Sequence, residues 1–180
     1  DAYEPATGTF DVTAYGIDIL GPADALHYVY QDMTDGTNLD MRVRVTQQDE
    51  TAYWSKSGLM LRESTNANAI QVSMVLMPGL SGGWQFLWRS AEGSNVVFNH
   101  DASAGIAPPY WVRLTRAGNA FSGYTSADGM TWTLRGSQTV TMSSNVVAGL
   151  AASPVHWDAG MRTVFDHVRG LPNANVAPVV

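Results

Sequence analysis

Apolar and polar residues alternate along most of the chain, in short runs separated by glycine, asparagine, aspartate and proline. Alternation with a period of two is typical of β-strands, because successive side chains point to opposite faces of a sheet. No stretch shows capped helical periodicity over three turns. The pattern therefore predicts an antiparallel sandwich or barrel. The ten clearest runs span 26–31, 39–45, 58–64, 70–77, 84–89, 110–116, 120–126, 131–136, 145–153 and 161–168.

Two connections between these runs have the signature of a hairpin. Gly118-Asn119 and Asp128-Gly129 each lie between two alternating runs. Glycine, asparagine and aspartate tolerate the positive φ angles that tight hairpin turns require. We therefore expect an antiparallel hairpin at each of these two positions.

Composition excludes several classes of protein. Only 14% of the residues are charged, and the net charge is −6 with a pI near 4.9. Nucleic-acid binding needs clustered basic residues, so this balance argues against it. No apolar run approaches the ~20 residues of a membrane-spanning helix, and without cysteine there are no disulfides or thiolate sites. We expect one monomeric domain over 1–170, and an interdomain linker over 171–180, where proline and asparagine replace the alternation.

Three neighbouring runs place polar side chains on a shared face. If the runs 58–64, 70–77 and 84–89 form a meander, period-two alternation brings arginine and amide groups together on one side of the sheet. Guanidinium and amide groups give directional hydrogen bonds to hydroxyl or carboxylate groups. The alternative is an ordinary solvated sheet face. The polar residues of this predicted patch are Arg62, Gln71, Ser73, Gln85 and Arg89.

Tryptophans near loops are further candidate ligand contacts. Trp157, preceded by His156, lies in a turn-rich segment between two runs, and Trp54 has similar surroundings. Trp84 follows a glycine pair and is expected at a loop rim. Aromatic rings in loops are costly to expose unless they pack locally or bind a ligand. We predict that these residues contact sugar rings, with local packing as the alternative.

Catalytic patterns are weak. Glycoside hydrolysis needs two carboxyl groups about 5–9.5 Å apart, and within the alternating runs no glutamate has a second acid one or two positions away. A polysaccharide lyase, which needs a tyrosine or histidine base beside an arginine, stays open as an alternative. We therefore expect no catalytic activity and no cofactor, except that a structural calcium ion could be held by carboxylates. The candidate ligands for such an ion are Asp18, Asp24 and Asp166.

Four segments, in this order, carry a family resemblance: DILGPADALHYVYQDMTDGTNLDMRV, SKSGLMLRES, PYWVRLTRAGNAFSGYTSADGMTW and AGLAAS followed by TVFDHV. Over about 17–168 the chain resembles the concanavalin A-like lectin/glucanase modules of large secreted bacterial proteins. The resemblance implies a two-sheet antiparallel jelly-roll sandwich, concanavalin A-like or laminin-G-like. It also implies an accessory unit beside glycosidases, lyases or peptidases.

The sequence thus favours a non-catalytic carbohydrate-binding module of an extracellular multidomain bacterial enzyme. Its partners would be a polysaccharide or oligosaccharide and the neighbouring domains of the same chain, with neither nucleic acid nor membrane. One alternative is a structural spacer or protein-docking module of a secreted or surface protein. The other is a polysaccharide lyase or glycosidase, which the inventory of acids disfavours.

Overall fold

The computed structural model describes residues 1–79 and 82–171, and every regular element within them is a β-strand. The predicted all-β class is therefore confirmed, and this part of the chain contains no helix that could cross a membrane. The described strands are β1 (Ala2–Glu4), β2 (Thr9–Gly16), β3 (His27–Met33), β4 (Asn38–Gln48), β5 (Lys56–Arg62), β6 (Gln71–Met77), β7 (Gly83–Arg89), β8 (Val97–Asp101), β9 (Tyr110–Ala117), β10 (Ala120–Ser126), β11 (Thr133–Thr139), β12 (Val146–Ser153) and β13 (His156–Arg169).

The strands form two antiparallel sheets that pack face to face as a jelly-roll sandwich. One sheet has seven strands in the order β1-β2-β13-β4-β9-β10-β11, and the other has six in the order β3-β12-β5-β6-β7-β8. Residues 172–180, most of the predicted linker, lie outside the described residues, whereas Leu171 packs against the core.

The core between the sheets is built from the apolar positions of the alternating runs. Phe86 of β7 is fully buried and faces two glycines of the opposite sheet. A Cβ atom at Gly123 would lie 2.5 Å from Phe86 Cδ2, and one at Gly136 would lie 2.6 Å from Phe86 Cδ1. The two glycines therefore leave the space that the phenylalanine ring fills, since interiors are close-packed.

Both predicted hairpins are present. Gly118 (φ 60°) lies in the tight connection between β9 and β10. Gly129 (φ 72°) lies in the longer connection 127–132 between β10 and β11. Each glycine thus occupies a left-handed conformation that residues with a Cβ rarely adopt.

Three loops cover the outer face of the six-stranded sheet and form what we call the loop layer: 17–26, 63–70 and 90–96. Ile19 and Val96 from this layer pack on Val75 and Leu87 of the sheet, in a second apolar cluster separate from the main core. Because of this cover, β5, β6 and β12 are buried on both faces. The backbone hydrogen bonds between the loops run from Asp24 N to Ala67 O (2.8 Å), from Gly93 N to Asn68 O (2.9 Å) and from Val96 N to Gly21 O (3.0 Å).

His167 provides a test of backbone strain in the seven-stranded sheet. It lies where the pairing of β13 with β4 is irregular, and its φ is 53°. Asparagine tolerates this left-handed region better than most residues, whereas a β-branched residue is an outlier there. We expect His167→Val to be less stable than His167→Asn by about 1 kcal/mol, as measured by urea denaturation. Both variants lose the imidazole ring, so equal stabilities would contradict a backbone effect.

Candidate functional site

The structure brings the predicted polar patch together on the outer face of the six-stranded sheet. Arg62 pairs across the strands with Gln71, and Gln71 pairs with Arg89. Ser73 and Gln85 lie on neighbouring rows of the same face. None of the five is more than 3% exposed, because the loop layer lies over them. The shared face is as predicted, but the patch is not at the surface, so a ligand cannot reach it in this structure.

Arg89 joins the sheet to all three loops. Its guanidinium donates to both carboxylate oxygens of Asp24, over 2.9 and 2.6 Å, and neither side chain has exposed surface. The remaining hydrogen bonds of Arg89 go to backbone carbonyl oxygens, so every edge of the guanidinium is occupied. Those carbonyls belong to Gly21, Ala67, Ala69 and Ser94.

Arg62 has a similar structural role. It donates to the carbonyl oxygens of Ser64 and Asn66, and its Nη1 lies 3.4 Å from a carboxylate oxygen of Asp24. Burial lowers the pKa of Arg62, and the nearby carboxylate of Asp24 opposes that effect. Both arginines therefore hold the loop layer on the sheet. The alternation had instead predicted that they contact a ligand.

The other predicted contacts fall into two groups. Trp84 is 8% exposed and packs in the main core, so its predicted position at a loop rim is wrong. Trp157 is 76% exposed at the start of β13, beside the exposed His156. Trp54 is 39% exposed, with ring centroids 4.8 Å from Tyr53 and 5.6 Å from His100.

The exposed tryptophans lie at the same end of the sandwich. The hydroxyl groups of Thr51 and Ser55 donate to the carbonyl oxygen of Pro154, over 2.8 and 3.0 Å. These bonds hold the loop that carries Trp54 beside the turn that leads to Trp157. This end of the molecule, at the start of β5 and the finish of β12, is called the tryptophan rim below.

The candidate calcium ligands are each paired with a basic side chain. Asp18 accepts from Lys56 Nζ at 2.5 Å, Asp24 pairs with Arg89 as described, and Asp166 accepts from Arg44 at 2.5 and 2.8 Å. Over residues 1–79 and 82–171, no three His, Cys, Asp or Glu residues form a group that could hold a metal ion. The geometry gives the calcium hypothesis no support.

An open groove lies on the outer face of the six-stranded sheet, on the same row as the buried patch. Asp32 of β3 pairs with Val147 of β12, which pairs with Arg62 of β5, so this row runs from the buried patch across an apolar residue to Asp32 at the sheet edge. The groove has a volume of about 400 Å³. Its polar lining comes from Tyr30, Asp32, Thr34, Glu63, Ser64, Thr65 and Asn145.

The aromatic ring at the side of this groove is fixed by a second tyrosine. The rings of Tyr30 and Tyr28 are stacked, with centroids 5.3 Å apart and planes at 16°. The Tyr28 hydroxyl lies 3.0 Å from the carbonyl oxygens of both Met60 and Val147, and burial raises the pKa of Tyr28. The Tyr28 side chain is thus neutral and held in place. The Tyr30 ring that stacks on it is therefore fixed in orientation where it lines the groove.

The two carboxylates of the groove differ in their surroundings. Glu63 Oε1 accepts the backbone N–H of Ser143 at 2.6 Å, which ties β5 to the segment before β12. Asp32 has no hydrogen-bond partner in the described parts of the chain, so its oxygens are available as acceptors. The groove therefore combines an aromatic platform with uncommitted polar groups, a combination that suits a polyhydroxylated ligand.

Comparison with known proteins defines the fold. No family model and no curated protein sequence matches the chain. A protein of unknown function from Saccharomyces cerevisiae has a similar structure, with a TM-score of 0.75 at 15% identity; the match covers 100% of this chain and 93% of that one. Similarity at this level of identity establishes the architecture alone.

Carbohydrate-active enzymes also contain this sandwich. A mutant form of a GH43 protein from Bacillus licheniformis matches with a TM-score of 0.60 at 12% identity, over 88% of this chain and 32% of that chain. A xylan β-1,4-xylosidase from Bacillus halodurans C-125 matches with a TM-score of 0.54 at 11% identity, over 72% and 27%. The chain thus spans about a third of these enzymes or less, and it shares with them a jelly-roll sandwich fold.

Proposed function

We propose that the chain is a non-catalytic carbohydrate-binding domain whose site is the groove beside Tyr30. The observation that supports this most directly is the fixed Tyr30 ring in an open groove lined by hydroxyl, amide and carboxylate groups. The groove volume of about 400 Å³ falls within the range of small-molecule sites, about 300–1,000 Å³. Such a space suits one or two sugar units of a longer polysaccharide.

In this proposal, the flat ring of Tyr30 packs on the C–H face of a sugar. Asp32 would accept hydrogen bonds from the sugar hydroxyls, and the Asn145 amide would donate or accept them. The tyrosine loses little conformational freedom on binding, because Tyr28 already holds its ring in place. Preorganisation of this kind reduces the entropic cost of binding.

We further propose that the domain is an accessory unit of an extracellular multidomain bacterial protein. The occurrence of the same sandwich within longer GH43 and xylosidase chains supports this proposal. A weak binding domain tethered to a catalytic domain raises the effective concentration of the substrate. The low charge of the surface also suits a neutral, hydroxyl-rich ligand.

Tyr30→Ala is expected to weaken polysaccharide binding about tenfold, since it removes the stacking platform. The measurement is native affinity electrophoresis in gels that contain soluble neutral polysaccharides, xylan among them. Trp157→Ala is the matched control, because the tryptophan rim and the groove lie at opposite ends of β5 and β12. Near-ultraviolet circular dichroism checks that each variant is folded.

The outcomes separate the candidate sites. Retardation that is lost only in Tyr30→Ala supports the groove. Retardation that is lost only in Trp157→Ala moves the site to the tryptophan rim, with Trp157, His156 and Trp54 as its contacts. If no polysaccharide retards the folded wild-type domain, the spacer or protein-docking alternative replaces carbohydrate binding.

A glycosidase is the second candidate function, because Asp32 and Glu63 line the same groove. Hydrolysis requires an acid and a second carboxylate acting on the same glycosidic bond. Release of reducing ends during prolonged incubation with the polysaccharide that binds would support catalysis, provided that Asp32→Asn abolishes the release. Retardation without such release supports a domain that only binds.

A further inference from the structure

The outer face of the seven-stranded sheet carries arginines and aromatic rings in register. Arg42 of β4 pairs with Arg113 of β9, which pairs with Tyr124 of β10. On the neighbouring row, Asp166 of β13 pairs with Arg44, which pairs with Trp111. The arginine–aromatic face, as we call it, comprises Asp40, Arg42, Arg44, Trp111, Arg113, Tyr124, Trp132, Asp166, His167 and Arg169.

Aspartates hold one edge of each central guanidinium. Asp40 accepts from Nε and Nη2 of Arg42, at 3.2 and 2.8 Å, and from the same two atoms of Arg113, at 2.7 and 2.8 Å. Burial raises the pKa of Asp40, but these hydrogen bonds outweigh it and hold the value at about 2. Asp166 binds the Nε and Nη2 groups of Arg44 in the same way. The Nη1 groups of all three arginines have no hydrogen-bond partner in the described residues.

The guanidinium groups also lie near aromatic rings. The Trp132 ring centroid is 5.9 Å from Arg42 Cζ and 5.7 Å from Arg113 Cζ. Arg113 Cζ is 5.2 Å from the Tyr124 ring, and Arg44 Cζ is 5.8 Å from the Trp111 ring. Rings and aspartates together fix each guanidinium, so its uncommitted donor is preorganised.

Positive charge is concentrated on this side of an acidic protein. The chain has ten Lys and Arg residues, all within the described ranges, and four of them are buried. Of the other six, five lie on the outer face of the seven-stranded sheet. Within the arginine–aromatic face, four arginines stand against two aspartates, although the whole chain has a net charge of −6. The five arginines on the outer face of the seven-stranded sheet are Arg42, Arg44, Arg113, Arg162 and Arg169.

We propose that the arginine–aromatic face is a second ligand site, which binds a polysaccharide that carries uronic acid carboxylates. The free Nη1 groups supply charge-assisted hydrogen bonds to carboxylates, and the tryptophan and tyrosine rings pack on the sugars. A uronate keeps its planar carboxylate at the ring edge and leaves a C–H face bare for packing. Sulfate esters add bulky tetrahedral groups and a higher charge density, which the acidic remainder of the protein opposes.

The test is affinity electrophoresis in gels that contain polygalacturonate, with highly methyl-esterified pectin and dextran sulfate as the comparison polymers. Polygalacturonate is expected to retard the wild-type protein, and less strongly as salt is added, because exposed charges are screened. We expect Arg113→Gln and Arg44→Gln each to weaken this binding about tenfold. Thermal unfolding checks that both variants are folded; two positions are used because either substitution could disturb its aspartate partner.

Two control variants locate the effect. Arg162→Gln changes an arginine on the same side of the sheet that is paired with Asp11, away from the aromatic rings, and is expected to leave polygalacturonate binding unchanged. Tyr30→Ala tests whether binding at the arginine–aromatic face is independent of the groove. This variant is also expected to leave polygalacturonate binding unchanged. Failure of the proposed function at the groove is therefore distinguishable from failure here.

Four results would overturn the proposal. The first is the absence of retardation by polygalacturonate. The second is equal retardation by the esterified polymer, which would remove the role of the carboxylate, and the third is stronger retardation by dextran sulfate than by polygalacturonate. The fourth is loss of polygalacturonate binding in Tyr30→Ala but not in Arg113→Gln or Arg44→Gln, which would assign the acidic polymer to the groove.

Discussion

Replacing Asp24 by asparagine is expected to lower the free energy of unfolding by about 3–5 kcal/mol. The Asp24 side chain has no exposed surface and is the carboxylate partner of Arg89, with Arg62 3.4 Å away. An asparagine leaves two buried guanidinium groups without a counter-charge, and desolvated charges are costly to bury unpaired. Urea denaturation, followed by tryptophan fluorescence, measures the change.

Asp40→Asn is the matched control for this prediction. Asp40 also accepts hydrogen bonds from two arginines, but its side chain is 41% exposed. Exposed ion pairs typically contribute about 0.2–1 kcal/mol because water and salt screen them. A cost for Asp24→Asn no larger than that of Asp40→Asn would show that the loop layer does not depend on the buried charge pair.

Phe86→Ala is expected to cost about 3–5 kcal/mol of the free energy of unfolding. Its ring fills the space between the sheets that Gly123 and Gly136 leave open. Since these two neighbours have no side chains that could move inward, most of the cavity would persist, and the cost of a cavity grows with its residual volume. The same denaturation experiment measures it.

Phe98→Ala serves as the comparison for the core substitution. Phe98 lies on the exposed edge strand β8 and is 36% exposed, so its ring buries less surface than that of Phe86 and its removal leaves a space open to solvent rather than an enclosed cavity. We expect a cost below about 1 kcal/mol, in the range of surface substitutions. Similar costs for the two phenylalanines would contradict the assignment of Phe86 to the centre of the core.

The alternation of residues predicted ten of the thirteen described strands and the faces of the central ones, but it did not indicate β1, β2 or β8. It correctly placed Arg62, Gln71 and Arg89 side by side, since a period of two determines which side of a sheet each residue occupies. It could not predict that the loop layer covers that side, because the cover also needs the loop 17–26, which is far from these strands in sequence. Asp24 and Arg89, for example, are separated by 65 positions.

The candidate site shows the same limit. Tyr28 and Tyr30 alternate within the run 26–31, and Asp32 follows that run in the same phase, so a common face could be predicted for the two tyrosines. Their groove also needs Glu63 and Asn145, which only the pairing of β3, β12 and β5 brings near. The sequence analysis placed Trp84 at a loop rim because a pair of glycines precedes it. In the structure Trp84 already belongs to β7, and its ring points into the main core.

The loop layer has a consequence for the way the molecule opens. Loops usually open locally, at a small fraction of the free energy of global unfolding. Here, backbone hydrogen bonds join the three loops to one another, and the guanidinium of Arg89 is bonded to each of them. Opening any one loop would expose the Arg89 guanidinium, which is hydrogen-bonded to all three loops. We therefore expect the loop layer to open as one cooperative unit with the sheet beneath it. Amide protons there would exchange with solvent at rates closer to those of the core strands than to those of ordinary loops.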